Sequence, residues 1–407
     1  MRGNEFVGEV NRRKQFELWF PWSAETVGID ESELGRVHNR PFAQVLARIN
    51  RETDWRCRQV YFTQRKRSYR EEHEGLENLL FPLSLRRLGR SRQGGRQLSL
   101  AALKYLATAP LGCVAFFQAY GQFPQLGARI CRRRAIPYIV IVGAWYSNYN
   151  QKLARYYRHA HRVLAHTQMQ LDKLIELGHS PHNMEVFPIG VDVDRFSVKG
   201  DPKVRERSDY PKLLYVGRMY SFKGAPQALQ TFVTVRQLFP NATLRMVGPP
   251  GDAGTLSSMR KFIEQNDLSQ SVSIENAVEH PLLPKLYREA DLLLYPSVYE
   301  GLPQVVLESM SSGTPVLAVH GEAGTAEVID HERDSWIVHM PDLTHKLLEI
   351  LQTPELLASA GQRAAAKIRE KYSADLMYQQ ICRILKREPD ATPELVGCEQ
   401  RTPVVVD

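Results

Sequence analysis

The sequence predicts an α/β protein whose parallel sheets are covered by helices on both faces. Short apolar runs that end at glycine or proline, such as residues 212–217, 243–247 and 292–295, have the length and composition of buried strands. Apolar residues at helical spacing follow the first of these runs, over residues 225–239. Strands that alternate with helices form parallel sheets with right-handed crossovers. The length of 407 residues suits two such domains.

The alternation continues through the second half and recurs in the first. In the second half we expect further strands at residues 271–274, 315–319 and 336–338, and helices at 257–265, 284–290, 303–312, 343–351 and 354–372. Candidate strands of the first half lie at residues 16–20, 59–63, 79–81, 113–118, 138–142 and 163–165. Residues 194–210 are polar and charged, which predicts a linker. Ligands of such sheets bind beyond the carboxyl ends of the strands.

The composition is that of a globular protein, with 43% hydrophobic and 24% charged residues. The five cysteines, at 57, 113, 131, 382 and 398, are widely spaced and form no CxxC pair. This pattern favours reduced thiols over a disulfide framework or a zinc site. The first 20 residues lack the apolar segment of a secretory signal, and no run approaches the ~20 apolar residues of a membrane span. We therefore expect a cytoplasmic protein.

The charge is unevenly distributed along the chain. Residues 1–200 hold 31 Lys and Arg against 18 Asp and Glu, whereas the remaining residues hold 22 against 27. A basic half indicates an anionic partner such as a membrane surface, nucleic acid or an acidic substrate. A solvated basic face that serves solubility is an equal alternative.

A first candidate binding loop lies between the predicted strand 212–217 and the helix that follows it. Gly217 ends the strand, and Arg218 and Lys223 lie in the turn before the helix. A helix N-terminus offers unpaired N–H groups and a positive dipole end, and the two cations add charge that suits phosphate. The pattern predicts a diphosphate site. An exposed loop with two solvated cations is the alternative.

A second candidate site follows the predicted strand 292–295. Glu300 and Gly301 lie in a loop, and Pro303 suits the first turn of a helix that contains Glu308. A carboxylate can accept from two hydroxyl groups, so sugar and ribose diols are natural partners. Acidic residues that complement the helix dipole are the alternative, which would account for one glutamate but not for the loop. A weaker third candidate is the glycine-containing segment 320–327.

Together these features resemble the retaining GT-B glycosyltransferases of family 4. The family pattern has G-R and K-G after one strand, then P-S, then E-G and a second Glu separated from the first by seven residues, and finally a G-x-P-V strand. The matching residues here are Gly217-Arg218, Lys223-Gly224, Pro296-Ser297, Glu300-Gly301, Glu308 and Gly313-Thr314-Pro315-Val316. Residues 188–196 are similar to the family's P-N-G-V-D signature, with Ile189 in the usual Asn place.

The resemblance implies two facing Rossmann-like domains with a cleft between them. Residues 1–197 would form the acceptor-binding domain and residues 205–372 the donor-binding domain. A last helix, at about residues 373–387, would pack back on the first domain. Residues 388–407 contain prolines at intervals and show no helical periodicity, which predicts a disordered tail.

The resemblance also implies a role for each matching residue. Arg218 and Lys223 would hold the diphosphate and stabilise the leaving phosphate, Glu300 would bind the hydroxyl groups of the sugar, and Glu308 would bind the ribose. The catalytic residues would be Arg218, Lys223 and Glu300. The full donor-binding set would be Gly217, Arg218, Lys223, Glu300, Gly301, Leu302, Pro303 and Glu308. The family needs no metal or cofactor, because the cations take the place of the metal.

The implied function is transfer of a hexose from a UDP- or GDP-sugar to a hydroxyl group of a glycan or a lipid-linked glycan. The basic half would contact anionic lipid at the inner face of the membrane, and no nucleic-acid partner is expected. Many relatives carry a histidine after the strand that matches residues 138–142, where this sequence has Gly143, Ala144 and Trp145. This difference leaves open a nucleotide-sugar-binding protein without transferase activity. A GT-B-like epimerase or phosphorylase is a third interpretation.

Overall fold

The computed structural model describes residues 14–27, 29–34, 40–84, 97–117, 121–143, 153–198 and 210–386. Within these ranges the chain forms two α/β units, each built around its own sheet. The predicted fold class is confirmed. The predicted tail at 388–407 and the centre of the predicted linker, residues 199–209, lie outside the described residues.

The first unit is built on an eight-stranded sheet. Its strands are β1 (Lys14–Trp19), β2 (Trp55–Thr63), β3 (Tyr69–His73), β4 (Leu76–Pro82), β5 (Cys113–Phe117), β6 (Tyr138–Ile141), β7 (Arg162–Ala165) and β8 (Met184–Val186). Its helices are α1 (Ala24–Val27), α2 (Arg40–Glu52), α3 (Leu100–Thr108), α4 (Gln122–Arg133), α5 (Ala154–Arg158) and α6 (Gln168–Glu176). The strand order is β3-β4-β2-β1-β5-β6-β7-β8, with β3 antiparallel to β4 and the other neighbours parallel.

The second unit contains a six-stranded parallel sheet and a small two-stranded one. The strands are β9 (Lys212–Val216), β10 (Thr243–Val247), β11 (Val272–Glu275), β12 (Leu292–Tyr295), β13 (Tyr299–Glu300), β14 (Val316–Val319), β15 (Glu322–Ala323) and β16 (Trp336–Val338). The helices are α7 (Ala225–Leu238), α8 (Ala253–Gln265), α9 (Leu283–Glu289), α10 (Gln304–Ser311), α11 (Thr325–Val328), α12 (Leu343–Leu351) and α13 (Pro354–Lys371). The main order is β11-β10-β9-β12-β14-β16, and β13 pairs with β15.

Alternating side chains along the inner strands fill a core on both faces of the sheet. In β1, Leu18 packs with Phe42 of α2, whereas its neighbour Trp19 packs with Phe116 and Phe123 on the opposite face. This alternation follows from the two-residue repeat of a strand. Burial of both faces explains why these strands are nearly continuous apolar runs.

The last helix, α14 (Ala374–Lys386), returns to the first unit. Met377, Ile381, Ile384 and Leu385 join the core that contains α2, at about 1.5–3 kcal/mol for each buried apolar side chain. Just before α14, the chain crosses from the second unit back to the first. There it runs beside Val191, which lies on the segment that leads from the first unit to the second. There Ala374 N–H donates to Val191 O at 2.8 Å, and Val191 N–H donates to the Tyr372 carbonyl at 2.8 Å.

Candidate functional site

The carboxyl ends of β9 and β12 bring the first two candidate loops into contact. β9 and β12 are parallel neighbours in the sheet. Gly224 has a φ of 76°, and a Cβ atom at this position would lie 2.2 Å from the Pro296 carbonyl oxygen. Only glycine fits here, because the position combines a left-handed backbone with a close approach of another chain segment. The K-G and P-S motifs therefore meet at one point.

Lys223 and Glu300 form an ion pair across this contact. The ammonium group of Lys223 lies against Glu300 Oε1. The same oxygen accepts hydrogen bonds from Tyr295 OH at 2.6 Å and from Ser297 Oγ at 3.1 Å. Among the described residues, these contacts leave Glu300 Oε2 available to accept from a ligand. Burial and the adjacent Glu300 carboxylate raise the pKa of Tyr295 well above its usual value, so its hydroxyl stays a donor.

Arg218 comes from the same turn as Lys223 but does not take part in the ion pair. Tyr215 OH donates to the carbonyl oxygens of Arg218, at 3.0 Å, and of Lys223, at 3.3 Å, which fixes the turn. Within the described part of the chain, the guanidinium group of Arg218 makes no ion pair or side-chain hydrogen bond. Gly217 packs closely on the loop after β10, since its N–H donates to Val247 O at 3.0 Å. A half-buried cation without an internal partner is suited to bind an external anion.

The segment from Gly301 to Pro303 leads into α10 and is buried. Pro303 is the N-cap residue and offers no side-chain cap for the helix start. The N–H groups of Gln304 and Val305 lack acceptors within α10, whereas Val306 N–H donates to Pro303 O at 3.1 Å. Gln304 also carries a side-chain amide whose Nε2 and Oε1 atoms are buried without a hydrogen bond among the described residues. This helix start therefore has the unpaired donors that an anion site needs.

Glu308 lies in a second cluster, which the sequence did not reveal. Its side chain is buried, and Oε2 accepts from Tyr287 OH at 2.9 Å, while His280 Nε2 lies 3.5 Å from Oε1. The other ring nitrogen of His280 lies 3.2 Å from Arg195 Nη1. No contact among the described residues joins Glu308 directly to Lys223 or Glu300. The loop before α9 carries His280 without a strand-end motif, so sequence spacing could not have indicated it.

The third candidate segment contributes its backbone rather than His320. Gly324 N–H donates to Gly301 O at 2.8 Å, and β15 pairs with β13 beside Glu300. This pairing holds the loop that carries Glu300 and Gly301. His320 is exposed and contacts His339 with tilted rings, 4.8 Å between the ring centroids.

One histidine of the first unit, His166, lies in the interior rather than at the surface. His166 follows β7, is buried, and has Nδ1 3.0 Å from Phe187 O. Burial lowers its pKa to about 4, so the ring is neutral at physiological pH.

The described residues contain no group of three or more His, Cys, Asp or Glu side chains suited to a metal ion. Nor does the described part of the chain include a helix long and apolar enough to cross a membrane.

Sequence comparisons find a family match over the second unit. Residues 199–367 match the family model described as glycosyl transferases group 1. Mannosylfructose-phosphate synthase of Agrobacterium fabrum is 26% identical over 245 residues, which cover 56% of this chain and 54% of that protein. D-inositol 3-phosphate glycosyltransferase of Thermobispora bispora is 29% identical over 225 residues, which cover 50% and 51%. The chain thus spans about half the length of the curated relatives that it matches.

Solved structures match over both units. Anabaena HepE in complex with UDP has a TM-score of 0.71 at 16% identity and covers 92% of this chain and 100% of its own. Sucrose-phosphate synthase from Thermosynechococcus elongatus has a TM-score of 0.70 at 15% identity and covers 92% and 99%. The chain therefore has the GT-B fold that the sequence predicted, and its residues 199–367 are similar to the glycosyl transferases group 1 family.

Proposed function

We propose that this protein is a retaining glycosyltransferase that moves a hexose from a UDP- or GDP-sugar to a hydroxyl group of a glycan or lipid-linked glycan. The observation that carries the proposal is the Lys223–Glu300 ion pair beside the uncapped start of α10. It places a cation, a carboxylate and unpaired backbone donors at one strand edge. A diphosphate joined to a polyhydroxyl sugar needs these three features.

In the proposed reaction, the bond between the anomeric carbon and the donor phosphate oxygen breaks, and its electron pair remains on the phosphate. Arg218 and Lys223 stabilise the charge that develops there, as fixed donors do at an oxyanion. The acceptor hydroxyl oxygen bonds to the anomeric carbon on the face that the phosphate leaves. Its proton passes to the departing phosphate oxygen. Glu300, held by Lys223, Tyr295 and Ser297, orients the sugar hydroxyl groups.

No metal or other cofactor enters the proposed mechanism, because two side-chain cations serve the diphosphate. The measurement that tests this point is turnover in the presence of EDTA. Unchanged turnover is the expected result, and loss of turnover that returns with Mg²⁺ or Mn²⁺ would overturn it.

A donor panel in a thermal-shift assay tests the proposed site. A donor that binds only the folded state stabilises it by about 2.7 kcal/mol when its concentration is 100 times Kd. We expect a UDP- or GDP-sugar to raise the Tm of the wild-type protein, and we expect Lys223→Ala to reduce the shift. Support for UDP comes from the neighbour HepE, which has been solved with UDP and with UDP-glucose. No shift with any nucleotide sugar would contradict the proposal.

A binding protein without transfer is the second candidate. The chain has Gly143 rather than a histidine in the segment after β6, where many family members carry a histidine, and this difference favours the second candidate. Donor-dependent stabilisation without release of nucleoside diphosphate in any acceptor pool would establish it. A pyridoxal absorption band would instead indicate the phosphorylase alternative.

We also propose that the first unit contacts an anionic membrane at the inner face of the cell membrane. Residues 78–171 contain 14 Lys and Arg but neither Asp nor Glu. Helices α3, α4 and α5 of this stretch pack against one face of the first sheet. Partial desolvation and the nearby Arg132, Arg155 and Arg158 lower the pKa of His159, so these three cations lie close to the same ring. Each cation near anionic lipid adds about 1 kcal/mol.

Sedimentation with vesicles tests the membrane contact. Wild-type protein should bind vesicles with phosphatidylserine at low salt and be released at high salt, because screening shortens the range of the attraction. The variant Arg155→Glu with Arg158→Glu should lose binding. The control, Arg260→Glu with Lys261→Glu on exposed α8, should retain it. Equal binding of both variants, or binding of RNA in place of vesicles, would contradict the proposal.

A further inference from the structure

We infer that Glu327 is a positioning residue whose carboxylate joins the two units across the cleft and holds the loop of Glu300 and Gly301 in its donor-binding place. The contact, here called the Glu327 clasp, consists of Glu327 and the backbone N–H groups of Gln168 and Met169. The inference about the donor depends on the proposed function, whereas the clasp itself does not.

Both carboxylate oxygens of Glu327 take part in the clasp. Oε2 accepts from Gln168 N–H at 2.8 Å, and Oε1 accepts from Met169 N–H at 2.5 Å. These are the first two N–H groups of α6, which have no acceptor within the helix. A carboxylate at this end of a helix also gains from the macrodipole. The two bonds therefore combine directional and electrostatic attraction.

The start of α6 is completed by residues of both units. Thr167 is the N-cap residue, and its Oγ1 accepts from Gln170 N–H at 3.2 Å. Thr167 thus satisfies the third N–H of the helix, and Glu327 satisfies the first and second. A helix that takes its capping carboxylate from another unit fixes the position of that unit.

The clasp is connected to the proposed donor loop through α11. Gly324 precedes α11, and its N–H donates to Gly301 O at 2.8 Å. A Cβ atom on Gly324 would lie 2.1 Å from Gly301 O and 2.5 Å from Thr167 Cγ2. Gly324 therefore lies directly between the donor loop and the start of α6. At the rear of α11, Tyr372 OH donates to Glu327 O at 3.4 Å.

This arrangement predicts how loss of the clasp would act. Without Glu327 the units can separate. Part of the free energy of donor binding is then needed to bring them together, so the observed affinity for the donor falls. We expect the KM for the donor to rise about fivefold to tenfold, as for loss of a charge-assisted cap, with kcat within about twofold. A residue that contacted the reacting atoms would lower kcat instead.

Two variants remove the clasp from opposite sides. Glu327→Ala deletes the carboxylate. Gln168→Pro deletes one of the donated N–H groups, and proline is favoured at the first helical position. Thr167 has φ −142° and ψ 156°, an extended conformation that suits a residue before proline. Gln168→Ala is the matched control, because it keeps the N–H and removes only the side chain that binds Asp172.

Hydrogen exchange of the peptide that contains residues 167–171 measures the clasp without any donor. We expect the amides of Gln168 and Met169 to exchange at least about tenfold faster in Glu327→Ala than in wild type at equal global stability. Equal exchange would overturn the clasp. Donor KM then measures its consequence, with Glu327→Ala and Gln168→Pro raised and Gln168→Ala unchanged.

The outcomes separate the two proposals. If wild-type protein transfers no sugar but the exchange difference is present, the proposed function fails and the clasp stands. If exchange accelerates in Glu327→Ala but donor KM stays at the wild-type value in both clasp variants, the positioning role is overturned.

Discussion

Lys223 and Glu300 form an ion pair between loops that leave two neighbouring strands of the second sheet. The pair is half-buried. The hydroxyl of Tyr295 donates a hydrogen bond to Glu300 Oε1, the oxygen that also contacts Lys223. The sequence distance between the two residues is large, so the fold creates the pair. Their proximity makes both residues available to one ligand.

Rapid turnover should require both cations of the turn after β9. Lys223→Ala and Arg218→Ala each should lower kcat/KM for nucleotide-sugar turnover by more than tenfold, or over ~1.4 kcal/mol, because each removes charge that stabilises the leaving phosphate. Lys261→Ala, on exposed α8, is the control. Steady-state assays decide the matter, and near-normal rates in both variants would refute the assignment.

Gly224→Ala should disrupt the site through sterics alone. Its Cβ would lie 2.2 Å from the Pro296 carbonyl, so the two donor loops must separate. Gly75→Ala is the matched control, because Gly75 has a φ of 80° with no atom within 4 Å of the added Cβ. We expect about 1–2 kcal/mol of lost stability at Gly75 from backbone strain, and a greater loss at Gly224. Equal losses in denaturant unfolding would show that the loops do not touch as described.

Tyr287→Phe tests the cluster around Glu308. It removes the hydrogen bond to Glu308 Oε2 and leaves a buried carboxylate less well satisfied, at a cost of about 1–3 kcal/mol. We expect weaker nucleotide binding by calorimetry in addition to lower stability. The control is Tyr210→Phe, which removes a hydroxyl bonded to Leu351 O elsewhere in the second unit. Similar nucleotide affinity in both variants would show that Glu308 does not belong to the donor site.

Glu17 should make stability depend on pH. It lies fully buried in β1, and burial raises its pKa to about 7 despite hydrogen bonds from Tyr105 and Trp19. The folded state therefore binds a proton that the unfolded state has released between about pH 4.5 and 7. The stabilisation is complete below pH 4.5 and is lost as the pH rises through 7, by up to about 3 kcal/mol.

Glu17→Gln isolates this contribution. The variant should show a flatter stability curve than wild type between pH 5 and pH 8 in urea unfolding. Parallel curves for the two proteins would show that Glu17 does not titrate in this range.

Most strands of the main sheet in the second unit were predictable from sequence, because they are short apolar runs, and β9, β10 and β12 are followed directly by glycine or proline. β10, β12 and β16 have the predicted bounds. The hairpin strand β3 was not predicted, since Tyr69–His73 is charged and pairs at the edge of the sheet. The helix α2 was also not predicted, although its packing against β2 and α14 is central to the first unit.

The candidate site was predictable only where a motif follows a strand. Lys223 and Glu300 were identified in this way, and the fold brings them together. His280 and Arg195 were not identified as site residues, because His280 contacts Glu308, and Arg195 contacts His280, through tertiary contacts between distant segments. The Glu327 clasp belongs to the same class. It joins residues of different units, and no local spacing encodes such a contact.

Release of nucleoside diphosphate from UDP- and GDP-sugars, with wild-type protein and Lys223→Ala in parallel, tests the central claim most directly. The account predicts acceptor-stimulated release by the wild-type protein, and at least tenfold slower release by a Lys223→Ala variant that unfolds at a comparable temperature. Release at equal rates by the two proteins would contradict the assignment of the donor site to the Lys223–Glu300 pair.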